Sequence, residues 1–422
     1  MTAPTESSRT PPVSATCIAD VFWRISMVLL ALMPLGMTIA HRSSPLFLGL
    51  SAAFAVSALA LEGGFKGLIA EARHALRTTL GLAALVFAAW GFLSLIWSEV
   101  RETSFSALLE FWLPVVFAFI LSLTLSKRMT NGAFWTLAIA IAVAQFIMLL
   151  DLRTGLEVRQ ALRMRFDSYI FNRPSLTLMV LLPPLMAWFW RSVRGGVGLS
   201  LAFSALIGLA IANSDSGAAA IGLPVAVLAC GATLIAPRLA VLCGKIGIVA
   251  ALVLAPVAGP LADRFIPASV HEHLATNHSR DRVNIWLSFD AAIHEDPILG
   301  AGFGASTRLG ETSVAERVSP ERRVLLNVGH PHNAALQIWV ELGLIGAILA
   351  AAVGFLTLDA IARQPKVIRA LSLGLMASAV IVAMIGHGAW QGWWASALGA
   401  AVVWLQAAKH LSDKRLPEEM KS

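Results

Sequence analysis

The chain has 422 residues, 57% hydrophobic and 14% charged, with a formal net charge of +7. A soluble fold of this length cannot hide that much apolar surface; with a mean hydropathy of +0.74, most of the chain must be solvated by lipid. Three scattered cysteines, Cys17, Cys230 and Cys243, indicate neither a disulfide framework nor a zinc site, and a cytoplasmic excess of Lys and Arg explains the positive charge without nucleic acid.

Residues 1–21 are rich in Ser, Thr and Pro and lack a small-residue cleavage site, so they read as a disordered cytoplasmic tail rather than a signal peptide. Apolar runs then predict spans at 22–40, 44–61, 78–97, 106–125, 133–150, 174–190, 197–212, 217–236 and 241–258, and again at 334–357, 369–387 and 390–408. Residues 409–422 form a second cytoplasmic tail. The fold class is therefore an all-α polytopic membrane protein of about twelve transmembrane helices. Pro34, Pro114, Pro183, Pro184, Pro224 and Pro256 fall inside spans, where neighbouring helices satisfy the freed carbonyls. Thirteen Trp and one Tyr suit ring anchors near headgroups.

With both termini inside, the short outer loops hold only Arg42 and Arg101, while the inner segments hold Lys66, Arg73, Lys127, Arg128, Lys245, Lys366 and others. That asymmetry predicts a multi-pass protein of the bacterial inner membrane with cytoplasmic termini. The other basic residues lie in two long outer loops, 151–173 and 259–333, where exported chemistry is expected.

The first of these, basic periplasmic loop 151–173, carries Arg153, Arg159, Arg163, Arg165 and Arg173. Arg159 and Arg163 share a helical face with Phe166, so the segment could lie along the interface against anionic headgroups. Arg173 stands before Pro174 at the head of the sixth span. A phosphate there would meet both guanidinium and free N–H groups, although Asp167 is an alternative partner.

The second, 259–333, is too long for a mere connector. In SRDRVNIWLSFDAAIH, Ile285, Phe289 and Ile293 form an apolar stripe, and Arg282 lies one turn from Trp286. DPILGAGFG then ends that helix at Pro297 and supplies Gly300, Gly302 and Gly304 for a tight return; no strand precedes them, so they are not a dinucleotide fingerprint. His271, His273 and His278 read as solvated loop histidines rather than a metal cluster. The next stretch, GHPHNAALQIWVELGLIG, sets His330, His332 and Asn333 at the door of the tenth span. Asn333 suits a helix cap, and His332 can reach an incoming hydroxyl while its other ring nitrogen is fixed by a neighbour. Glu341 lies inside the span and must face protein or water, and Gly343 and Gly346 allow close packing.

His332-Asn333, nine residues, then Gly343-x-x-Gly346 resembles the signature of the O-antigen ligase and O-antigen polymerase superfamily of membrane glycosyltransferases. Arg282-x-x-x-Trp286 and Pro297-x-Leu299-Gly300-x-Gly302 match the same family. The resemblance extends over about 80 to 408, with its specific motifs confined to 282–346. It implies a donor glycan on undecaprenyl diphosphate, catalysis by His332 and a grip on the diphosphate by Arg282, with His330, Asn333, Trp286, Asp215 and Glu341 in support. It implies no cofactor and no metal, and 259–333 as a periplasmic catalytic loop. A Ser-Arg-Gly turn common in the family is replaced by Ser214-Asp215-Ser216-Gly217. Arg173, with Arg165 from the same basic loop, is the candidate substitute.

On this reading an acceptor hydroxyl of lipid A–core attacks the anomeric carbon in line, with inversion, as the arginines stabilise the departing diphosphate. A polymerase of O-antigen, capsule or exopolysaccharide uses the same donor chemistry. A polytopic transporter is a third possibility, suggested by Glu341 and the prolines, but it predicts two related halves and no such repeat is visible.

Overall fold

A computed structural model describes residues 13–165, 167–273 and 279–413. Phe166 and His278 lie outside the described residues. Ten helices among them are long and apolar enough to cross a membrane. The shorter Gly196–Ala212 and the Trp-rich Gly392–Asp413 occupy the two other expected spans. The first helix, Val13–Ile39, begins within the stretch expected to be a tail.

Lipid leaves backbone groups only intrahelical partners, and the helix starts use polar caps. Thr78, Thr130, Ser216 and Asn333 each accept hydrogen bonds from N–H groups two or three residues on. Pro34, Pro114, Pro183, Pro184 and Pro224 are accommodated inside helices. Pro256 instead falls in a 3₁₀ turn, Ala255–Val257.

The central helix Asn172–Ser192 is buried along most of its length, and stacked Phe134 and Trp188 with edge-on Trp404 pin it to Asn131–Arg153 and Gly392–Asp413. A second core belongs to the long loop: Phe289 and Ile293 pack with Leu309, Val314, Val318 and Leu326 onto Leu336 and Val340, with Ile285 half-buried beside them. At about 1.5–3 kcal/mol per fully buried large side chain, such a cluster seats the loop firmly on the helix Ala334–Ala362.

Connecting loops meet at two opposite ends. At one end Arg159 donates to the carbonyls of Thr38 and Ile39, Arg153 to Asn213 and Ser313 to Glu99. At the other, Lys127 pairs with Glu71, Arg128 with Glu62 and Lys245 with Asp359. Arg159 departs from expectation: it is buried, with its ion-pair partner Asp151, on the short helix Glu157–Ala161. Because its donors are used on backbone carbonyls and Asp151, it is a strut rather than a lipid anchor.

Candidate active site

GHPHN, residues 329–333, approaches the helix Ala334–Ala362 in a tight turn, with Gly329 at φ 91° and His332 at φ 52°. A left-handed conformation at a non-glycine residue costs on the order of 1 kcal/mol and persists only where its surroundings hold it. Here Asn333 caps the helix, its side-chain oxygen accepting from Ala335 N (3.0 Å) and Leu336 N (3.2 Å). From the side, Trp286 Nε1 donates to the Pro331 carbonyl at 3.0 Å. Trp286 thus ties the loop helix Ser279–Glu295 to the histidine turn.

His332 Nδ1 lies 3.2 Å from the Gly386 carbonyl oxygen, and the His330 ring stands edge-on to the His332 ring at 4.3 Å. Burial lowers the His332 pKa and nearby Arg282 adds to that, while the Gly386 carbonyl opposes it. His330 is pushed down to about 4, by burial first and then by His332 and His387. Both imidazoles are therefore neutral near pH 7.

Arg282 is half-buried and donates through Nη1 to the Ile385 carbonyl, and no carboxylate pairs with it among the described residues. Arg173 lies in the first turn of Asn172–Ser192, with its guanidinium carbon 5.2 Å from the Trp393 ring centroid and Nη1 buried without a hydrogen-bond partner among the described residues. Asp167, its alternative partner, is taken by Arg165 at 2.8 Å. Arg173, His330, Glu110, Arg42 and Trp390 line one cavity of about 430 Å³. The structure thus gathers His330 and Arg173 in one recess, with His332 and Arg282 alongside. Arg165 is left outside, exposed and bound to Asp167 and Tyr169. Asp215 is exposed on the turn before Gly217–Ile235.

Glu341 is fully buried and accepts from Gly304 N (2.5 Å), Ser306 N (3.3 Å), Ser306 Oγ (2.5 Å), Gln337 Nε2 (2.9 Å) and Trp390 Nε1 (2.5 Å). Every partner is a donor, so the carboxylate joins the loop, the tenth span and the turn before the helix Gly392–Asp413. This structural employment removes the reason Glu341 gave for a transport pathway. Immediately after it the helix breaks at Gly343, φ 64° and ψ −163°. The glycine-rich return docks into the break: Ala301 N donates to Val340 O and Gly302 N to Glu341 O, both at 2.8 Å, and Leu344 N donates to Pro297 O at 2.9 Å. Gly343 therefore accepts a backbone segment where a neighbouring helix was expected.

Sequence reasoning missed His387, Gln337, Trp390 and Trp393. The helix Lys366–Ile385 ends before His387, and the last helix starts only at Gly392, so the residues between form a polar, aromatic turn rather than parts of two spans. The run GHGAWQGWW, residues 386–394, was the available signal.

The family model described as O-antigen ligase matches residues 200–351, which take in Arg282, Trp286, the histidine turn and Gly343. Over this stretch the chain is similar to the O-antigen ligase family. Three relatives from Rickettsia bear the name "putative polysaccharide ligase". That of Rickettsia felis is 27% identical over 318 residues, 74% of this chain and 76% of the relative. Those of Rickettsia conorii and Rickettsia typhi are each 34% identical, over 141 and 138 residues, 32% of this chain and 34% of the relative. The chain thus aligns with about a third of the length of these last two. The long apolar helices make it a multi-pass membrane protein, a setting consistent with the inner membrane.

Proposed function

We propose that this protein acts as an O-antigen ligase, transferring a glycan from undecaprenyl diphosphate to a hydroxyl of lipid A–core oligosaccharide. The site would face the periplasm, with 259–333 as the catalytic loop and both termini in the cytoplasm. The observation that carries this reading is a neutral imidazole, His332, fixed through Nδ1 near Arg282, with His330 and Arg173 in the adjoining recess and neither arginine in an ion pair among the described residues. A guanidinium in a half-buried recess with no ion pair among the described residues suits a substrate that brings its own negative charge.

In the proposed reaction the acceptor oxygen attacks the anomeric carbon as the bond to the diphosphate oxygen breaks, and the electron pair leaves with the phosphate. The two guanidinium groups hold the charge that develops there. A sugar hydroxyl is too weak an acid to ionise beforehand; its proton passes late to His332 Nε2. In-line displacement inverts the anomeric configuration.

Disruption of the gene followed by analysis of surface glycan tests the reading. Full-length polymer stranded on the polyprenyl carrier is the expected result. Single capped repeats on core would instead indicate the polymerase reaction, and unchanged surface glycan would overturn both.

A further inference from the structure

We propose that His387 is a further ligand of the leaving diphosphate, binding it together with Arg173 and becoming charged as the donor enters. This inference rests on the transfer reading above.

The geometry of His387 carries it. Its Nδ1 lies 2.9 Å from the Gly388 carbonyl oxygen, which can only accept, so Nδ1 bears the hydrogen and Nε2 the lone pair. The residue is 8% exposed, and Nε2 is buried without a hydrogen-bond partner among the described residues. The ring is wedged against Trp393 and Trp394, at 4.8 and 5.2 Å between centroids, which fixes its direction. A buried nitrogen held in place and given no partner by the fold calls for one from a ligand.

The neighbourhood decides the sign of that ligand. His387 interacts electrostatically with Arg173, from the helix Asn172–Ser192, and with His332 and His330 from the histidine turn. Its own turn also touches His330: a Cβ added to Gly388 would stand 3.1 Å from His330 Cδ2. Arg173 Nη1 and His330 Nδ1 are likewise buried and unpartnered among the described residues. Arg282 faces His332 and donates to Ile385; Glu110, the carboxylate lining the recess, accepts from Gly392 N at 3.1 Å and opposes part of the positive field that Arg42 adds at Arg173. A guanidinium among these nitrogens repels a metal cation and attracts an anion.

Burial, with Arg173 and His332, holds the His387 pKa down to about 4, so the ring is neutral before the donor arrives. A diphosphate diester brings two negative charges, which raise that pKa and draw a proton from solvent. The charged ring then donates from Nε2 to a phosphate oxygen. As the glycosyl bond breaks and its electron pair moves onto the diphosphate, that hydrogen bond strengthens, and the proton is given up when the product leaves.

The test uses the full chain in nanodiscs and undecaprenyl-diphosphate-linked N-acetylglucosamine as probe, because a diphosphate diester does not itself titrate near neutrality. Calorimetry in buffers of different ionisation enthalpy reads proton uptake on binding. The wild type is expected to take up about one proton. His387→Gln should lose that uptake and bind roughly 10–100-fold more weakly, the worth of a charged hydrogen bond. Unchanged affinity and uptake in His387→Gln would overturn the inference while leaving transfer intact. Should that variant fail to fold, the wild type decides, since probe affinity that does not tighten from about pH 8 to about pH 6 overturns it equally. A probe that ignores Arg173→Ala and Arg282→Ala would take down the transfer reading itself.

Discussion

The Nδ1 of His332 and the carbonyl oxygen of Gly386 lie 3.2 Å apart, joining the head of the tenth span to the turn after the eleventh. Since the carbonyl can only accept, the hydrogen sits on Nδ1 and Nε2 is free to take a proton. Under the proposed transfer, His332→Ala should lower turnover by about 100-fold or more while leaving donor binding in place. Near-normal product from a purified reconstituted enzyme would remove His332 from the chemistry.

Arg282 reaches the same turn, donating through Nη1 to Ile385, which aims the rest of its fork beside His332. Lysine keeps the charge but cannot hold the carbonyl and a phosphate with one planar group. Arg282→Lys is therefore expected to raise the donor KM about tenfold or more. Donor saturation identical to wild type would show that the fork is not used on substrate.

The buried histidines fix the direction of the pH response. The His332 pKa is lowered by burial and by Arg282, so the neutral base persists to more acid pH than an ordinary imidazole allows. The acid limb of the plot of kcat/KM against pH should therefore fall at a lower pH than an ordinary imidazole gives. His330 and His387, both near 4 in the folded chain, bind protons more readily when unfolded. Their contribution to stability is present above about pH 6.5 and is lost as pH falls toward 4. A thermal midpoint that rises on acidification through this window would contradict that sign.

Much of this was legible because lipid simplifies the problem. Long apolar runs can only be helices, and the spacing of Ile285, Phe289 and Ile293 announced a packed loop helix whose core the structure contains. Asn333 announced its cap. The turn at 386–391 was illegible because Trp and Ala within it score as apolar, which blurred two helix ends together. Arg159 misled for a different reason. An arginine in an outer loop looks like a headgroup anchor until the carbonyls of Thr38 and Ile39, more than a hundred residues away, turn out to need its donors. Long-range partners of this kind leave no local pattern.

Glu341 gives a prediction that separates stability from chemistry. Five donors converge on its carboxylate, among them Trp390 Nε1 and Gln337 Nε2. Alanine leaves those donors unsatisfied in a buried site, a loss on the order of 3 kcal/mol. Glu341→Ala should thus lower the yield of folded protein and its melting temperature. Variant protein that melts like the wild type yet lacks activity would instead move Glu341 into the reaction.

The break at Gly343 makes the sharpest claim about how the loop is held. With φ at 64°, any side chain there is strained, and a Cβ would lie 2.1 Å from the Ile298 carbonyl oxygen. The segment from Pro297 to Gly302 would have to leave the break, taking with it the hydrogen bonds to Val340 and Glu341. Gly343→Ala should cost a few kcal/mol and raise hydrogen exchange at Ala301 and Gly302, whereas Gly354→Ala, further along the same helix and meeting only the tip of the Ile248 side chain at 2.9 Å, should leave that exchange nearly unchanged. Equal protection in the two variants would mean that the loop is secured by the Phe289 core alone and that the glycine latch contributes nothing measurable.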